Sequence, residues 1–188
     1  MRRAILVLAA GLAACGGAGD EDAPPTNRAR PAPTAPVSAG GYVALASTGD
    51  RFEIESARLA LEKAESAEVR GLAQMILSDH ERSTAQLAGA AAEAGSPIGG
   101  APALSPTQRS NIEALRAAPR ADFDAEWLHQ QVVAHQQALD AAAAYARGGD
   151  SAPLRRHAAA TIAAIQTHLI RARRLESETL ARAQLQQP

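Results

Sequence analysis

The chain has 188 residues and a formal charge of -1 at neutral pH, with 46% apolar residues but only 3% aromatics. So small a charge offers no basic field to phosphate backbones, which argues against nucleic acid as a partner. Alanine makes up much of the apolar share, favours helix and lets helices approach closely, so a single all-α domain with appendages is expected.

Residues 1–14 read as a signal peptide. Arg2 and Arg3 give a positive start, and the apolar run Ala4 to Ala14 is too short to span a bilayer as a mature helix. Its end, Leu12-Ala13-Ala14-Cys15, resembles the lipobox of bacterial lipoproteins, which implies cleavage before Cys15 and a lipid on that thiol. Cys15 is the only cysteine, so no intramolecular disulfide can form. Gly16 rather than aspartate follows it; by the same resemblance the expected address is the bacterial cell envelope, as an outer-membrane lipoprotein facing the periplasm. Residues 15–40 then form the lipidated cysteine and a disordered tether, since Pro24, Pro25, Pro31, Pro33 and Pro36 stand among glycine and alanine with little to bury. Membrane contact is expected through the lipid on Cys15.

From residue 41 to 184 the pattern is helical. A first helix is expected from Tyr42 to about Ala64, with Tyr42, Leu45, Gly49, Phe52, Ser56 and Leu59 on one stripe and a bend at Gly49-Asp50. Ser66 caps a second helix that stops at Gly95 with Pro97 behind it, and so short a join makes the two an antiparallel hairpin. Residues 96–121 hold a loose stretch and a short helix opened by the capping box Ser105-Pro106-Thr107-Gln108. A third long helix runs from near Asp122 to Gly148-Gly149, and a fourth from about Pro153 past Leu175, ending in a polar tail at 185–188. Two tight hairpins joined by a long connection predict a ferritin-like four-helix bundle with a long middle crossover containing a short helix. The alternative is an up-down-up-down bundle with a decorated loop.

Each of the last three long helices carries a histidine near its mid-point: His80, His135 and His168. All three fall in step with apolar seams, and mid-points of antiparallel helices of similar length lie at one level. Three imidazoles are therefore expected to meet in the core. The first helix offers Glu55 near its mid-point, and Asp79 beside His80 is turned toward a neighbouring helix or solvent. Such a set fits either a transition metal (zinc, copper or iron) held by imidazoles and a carboxylate, or a metal-free proton-sharing network. A di-iron bundle needs Glu-x-x-His on two helices, but Leu77, Val132 and Ile165 stand three residues before these histidines. His129 reads as surface, and His157 fits seam and surface equally.

The blocks Glu53-Ile54 to Lys63-Ala64, Ala73 to Asp79-His80, Phe123-Asp124 to His135-Gln136 and His168-Leu169 to Leu175 resemble the bacterial exported domain-of-unknown-function 4142 family. The resemblance covers roughly residues 41–176 and implies a ferritin-like fold and an outer-membrane address, without a reaction. Relatives often have methionine before the third-helix histidine; Gln131 and Val132 stand there in this chain, which does not favour thioether ligation of copper. Ser83, Tyr145 and Thr161 form no nucleophile-base arrangement, so no catalytic residue is assigned. The residues alone favour a non-catalytic envelope module, stress-related or binding an envelope protein partner, in which the histidines are buried polar glue. A metal-binding bundle is the alternative.

Overall fold

The computed structural model describes residues 38–185. The expected signal peptide, Cys15, nearly all of the tether and residues 186–188 of the tail lie outside the described residues. The five helices in order are α1 (Ala39–Lys63), α2 (Ala67–Glu93), α3 (Pro106–Ala117), α4 (Arg120–Gly148) and α5 (Ala152–Leu185). Among the described residues there is no strand, and no helix is long and apolar enough to cross a membrane.

Local chemistry sets the boundaries. The Ser38 hydroxyl accepts from the Gly41 amide at the start of α1, and the Ser66 hydroxyl accepts from the Glu68 and Val69 amides at the start of α2. Asp124 of α4 closes the turn between them, its carboxylate accepting from the amides of Glu65 at 3.2 Å and Ser66 at 2.8 Å. Gly95, at φ 67°, ends α2 in the left-handed conformation that glycine adopts without strain. The Ser105–Gln108 capping box forms as expected. Lys63 donates to the carbonyls of Leu115, Arg116 and Ala118 at 2.7–2.9 Å, which fastens the open end of α3 to the end of α1. α1 is continuous through Gly49-Asp50.

Four long helices form a ring in which α1 lies beside α2 and α4, and α5 beside the same two. The cross-links fix their directions. Trp127 of α4 meets Ser56 of α1, while Tyr145 near the end of α4 stacks on Tyr42 at the start of α1. These two helices are antiparallel, so α4 begins at the end where α2 also begins. Residues 94–119 therefore travel back along the bundle, with α3 lying on α1 and α4. The expected crossover is present, and every neighbouring pair in the ring is antiparallel.

Two apolar clusters hold the ends. One joins Val69, Leu72, Phe123, Trp127, Leu128 and Leu175; the other joins Tyr42, Val43, Leu87, Tyr145 and Leu154. Phe52 packs separately with Leu104 and Ile112 under the crossover. The stripe expected on α1 needs correction: Leu45 is 53% exposed, whereas Val43, Ser47, Asp50, Glu53, Ala57 and Ala60 are buried. Of the expected stripe, Tyr42, Phe52 and Ser56 are buried and Leu45 is not.

Trp127 is the largest buried side chain, and its indole N–H donates to the Ser56 carbonyl at 3.2 Å. Trp127→Ala is expected to lower stability by about 3–5 kcal/mol through the cavity it leaves. Urea denaturation followed by circular dichroism measures it.

Candidate metal centre

The three mid-helix histidines converge between the two apolar clusters. Ring centroids lie 5.7 Å apart for His80–His135, 5.7 Å for His80–His168 and 5.1 Å for His135–His168. One nitrogen from each ring falls within 4.8 Å of the other two. The side chains of His135 and His168 are 0% and 1% exposed, and that of His80 is 11% exposed.

Hydrogen bonds decide which nitrogens face inward. His135 Nδ1 lies 3.0 Å from the Gln131 carbonyl oxygen, which can only accept, so Nδ1 carries the proton and Nε2 a lone pair. His168 Nε2 donates to Asp79 Oδ2 at 2.9 Å, leaving its Nδ1 bare. His80 Nδ1 donates to Asp50 Oδ1 at 2.7 Å, leaving its Nε2 bare. His135 Nε2 and His168 Nδ1 then stand 3.2 Å apart with no hydrogen between them. Two lone pairs at that distance repel unless a cation, proton or metal, lies with them.

Burial holds the His135 imidazole well below its usual range, with charge on His80 and His168 adding to the effect. Burial also lowers His168, against the effect of its hydrogen bond to Asp79. His80 goes the other way. Burial depresses it, but the Asp50 hydrogen bond and the charges of Glu53, Asp50 and Asp79 together raise it. Glu53 is pushed up to about 7, chiefly by burial, with His80 opposing. Its Oε1 lies 3.8 Å from His135 Nδ1, and its Oε2 has no hydrogen-bond partner.

Asp79 reaches the neighbouring helix as its position suggested, joined there to His168, and it also pairs with Arg82 on its own helix. Glu55 does not enter the cluster. It pairs with Arg51 at 2.8 Å, and the carboxylates of α1 that face the histidines are Asp50 and Glu53. At 100° per residue, Glu55 lies about 200° around the helix from Glu53. Sequence reasoning missed both Asp50 and Glu53, although the run Val43, Ser47, Asp50, Ala57, Ala60 at steps of three, four and seven carried the signal. His129 sits on the surface beside Glu176 at 3.2 Å. His157 is buried, its Nδ1 3.0 Å from the Tyr42 hydroxyl.

All three clustered histidines line a cavity of about 470 Å³ that extends between the four long helices toward Tyr42 and His157. The residues available to hold a metal are thus three imidazoles, each fixed through its outer nitrogen by a carboxylate or a carbonyl. That is how metal-ligating histidines are oriented.

The sequence has no match among curated proteins. Solved structures share the fold, two of CopM among them. "CopM in the Cu(II)-bound form" aligns with a TM-score of 0.66 at 18% identity, covering 76% of this chain and 98% of that one. "CopM in the Cu(I)-bound form" aligns with a TM-score of 0.64 at 19% identity, covering 75% and 96%. A family model described as "Domain of unknown function (DUF4142)" matches residues 23–175, and the chain belongs to that family.

Proposed function

We propose that this protein is a transition-metal-binding bundle, its centre formed by His80, His135 and His168, moored in the bacterial envelope through a lipid on Cys15. The observation that carries the reading is the convergence of three imidazoles whose outer nitrogens are already committed, so that only lone pairs remain inside. A set of imidazoles suits copper, zinc or iron. Copper is the first metal to test, because two structures of similar fold are titled as copper-bound. The same 3.2 Å contact also fits a shared proton without metal. Metal content separates the two.

The purified protein is expected to retain about one equivalent of metal after gel filtration, as read by elemental analysis and calorimetry. The triple variant His80→Ala, His135→Ala, His168→Ala should lose it. Asp50→Ala and Asp79→Ala should weaken binding about 10- to 100-fold by releasing the outer nitrogens, while Glu55→Gln should leave it unchanged. Substoichiometric metal in the wild type, or equal metal in the triple variant, would overturn the proposal.

A cation at the centre would also offset the burial of Glu53. In metal-free protein that offset is missing. The folded protein holds the Glu53 proton up to about pH 7, whereas the unfolded chain releases it near 4.5. Between those values the native state binds more protons, so this residue's contribution falls as pH rises through the window and its cost is fully present above it. Glu53→Gln should therefore stabilise the metal-free protein at pH 8, by an amount on the order of 2 kcal/mol, and the difference should close near pH 4.5. Urea denaturation in the presence of chelator at both pH values checks this.

A further inference from the structure

The cavity beside the histidines needs an account of its own. Bundle cores are normally filled to close packing, and at both ends of this one leucine, phenylalanine and tryptophan do so. In the middle, Ala134, Ala138 and Ala142 of α4 and Ala160 and Ala164 of α5 line the cavity instead. Ala138, Thr161 and Ala164 are only half-buried, so the space communicates with water. Small side chains here leave a void that costs stability, and the void lies directly against His80, His135 and His168.

The donor set is short by one. Among the described residues the group able to share a cation is these three histidines alone. Asp50 and Asp79 are committed to the outer nitrogens of His80 and His168, and Glu53 lies toward the outer nitrogen of His135. Three protein ligands with no fourth is the composition of an open site rather than a closed structural one.

Resting on the metal-binding reading above, we infer that the cavity is a binding site for a small neutral molecule that donates a lone pair to the metal at one end and carries a short apolar body. Neutrality follows from the surroundings. Asp50, Glu53 and Asp79 line the same space against a single cation, Arg82, which is paired with Asp79, so the excess of carboxylates opposes an anionic ligand. The apolar body follows from the alanine walls, against which each buried methylene should strengthen binding roughly fourfold.

The test uses the full chain loaded with copper(II), or with cobalt(II) if zinc is the metal retained, titrated with imidazole and with 1-butylimidazole. Metal content is measured in the same samples. Both probes should shift the visible spectrum saturably at one site, with 1-butylimidazole binding at least tenfold more tightly, whereas azide binds weakest. Ala138→Leu and Ala164→Leu fill the cavity and leave all three histidines in the sequence. Each should keep the metal and helicity while weakening 1-butylimidazole at least tenfold. Full metal occupancy with no spectral response, or equal affinity of the two imidazoles, overturns the cavity site and leaves metal binding standing. Absence of bound metal overturns both. Should the leucine variants fail to fold, the comparison of the two imidazoles on the wild-type protein decides alone.

Discussion

A buried imidazole has two nitrogens to satisfy, and this bundle satisfies only one of them on each of three rings. The outer nitrogens of His80, His135 and His168 are held by Asp50, the Gln131 carbonyl and Asp79. The inner ones face each other across distances that suit a shared cation and little else. Leaving a buried polar group without a partner costs about 1–3 kcal/mol, so the arrangement is retained against stability rather than for it. The rest of the architecture serves to make that cost bearable.

The crossover is the first such device. Because residues 94–119 return along the bundle, α2 and α4 run the same way on opposite corners, and each contacts only antiparallel neighbours. Mid-points then meet at one level, which brings together histidines from three helices. The second device is a division of labour along the axis. Apolar clusters close both ends, one around Trp127 and Phe123, the other around Leu87, Leu154 and the Tyr42–Tyr145 stack, so the polar belt between them need contribute nothing to stability. By accepting from the amides of the α1–α2 turn, Asp124 of α4 ties the two hairpins together.

Helix count, the crossover and the three histidines were legible in the chain because each leaves a periodic or punctuating mark: Ser66, Gly95, the Ser105–Gln108 box and the in-phase imidazoles. The α1 side of the site was not. Position near the mid-point of the helix pointed to Glu55, but the α1 residues turned to the histidines, Asp50 and Glu53, lie in a run with Ser47, Ala57 and Ala60 that average hydrophobicity does not reveal. Which of two carboxylates two residues apart faces inward is a question of rotation about the helix, settled by packing against α2 and α4. The outer partner of His135 was equally hidden, since it is a backbone carbonyl four residues earlier on the same helix, a contact that leaves no mark in side-chain identity. His157 was undecided for a similar reason: its burial depends on Tyr42, more than a hundred residues away.

Charge closes the argument about what the belt is built to hold. With all three imidazoles neutral and Asp79 paired with Arg82, Asp50 leaves the mid-section with an unbalanced negative charge, and Glu53 is half-titrated near neutrality. Buried carboxylates without a counter-charge are far more expensive than unpaired dipoles. Protons can supply part of the balance, at His80 beside Asp50, at Glu53, or between His135 and His168, and the opposite directions in which His80 and His135 are displaced follow from that competition. A divalent cation supplies it in one step while using the lone pairs that protons would otherwise occupy, so metal and protons compete for the same place and uptake of one releases the other. On this view the carboxylates around the histidines and the convergence of the rings are one feature, a negative, lone-pair-lined gap whose electrostatics and geometry ask for the same occupant.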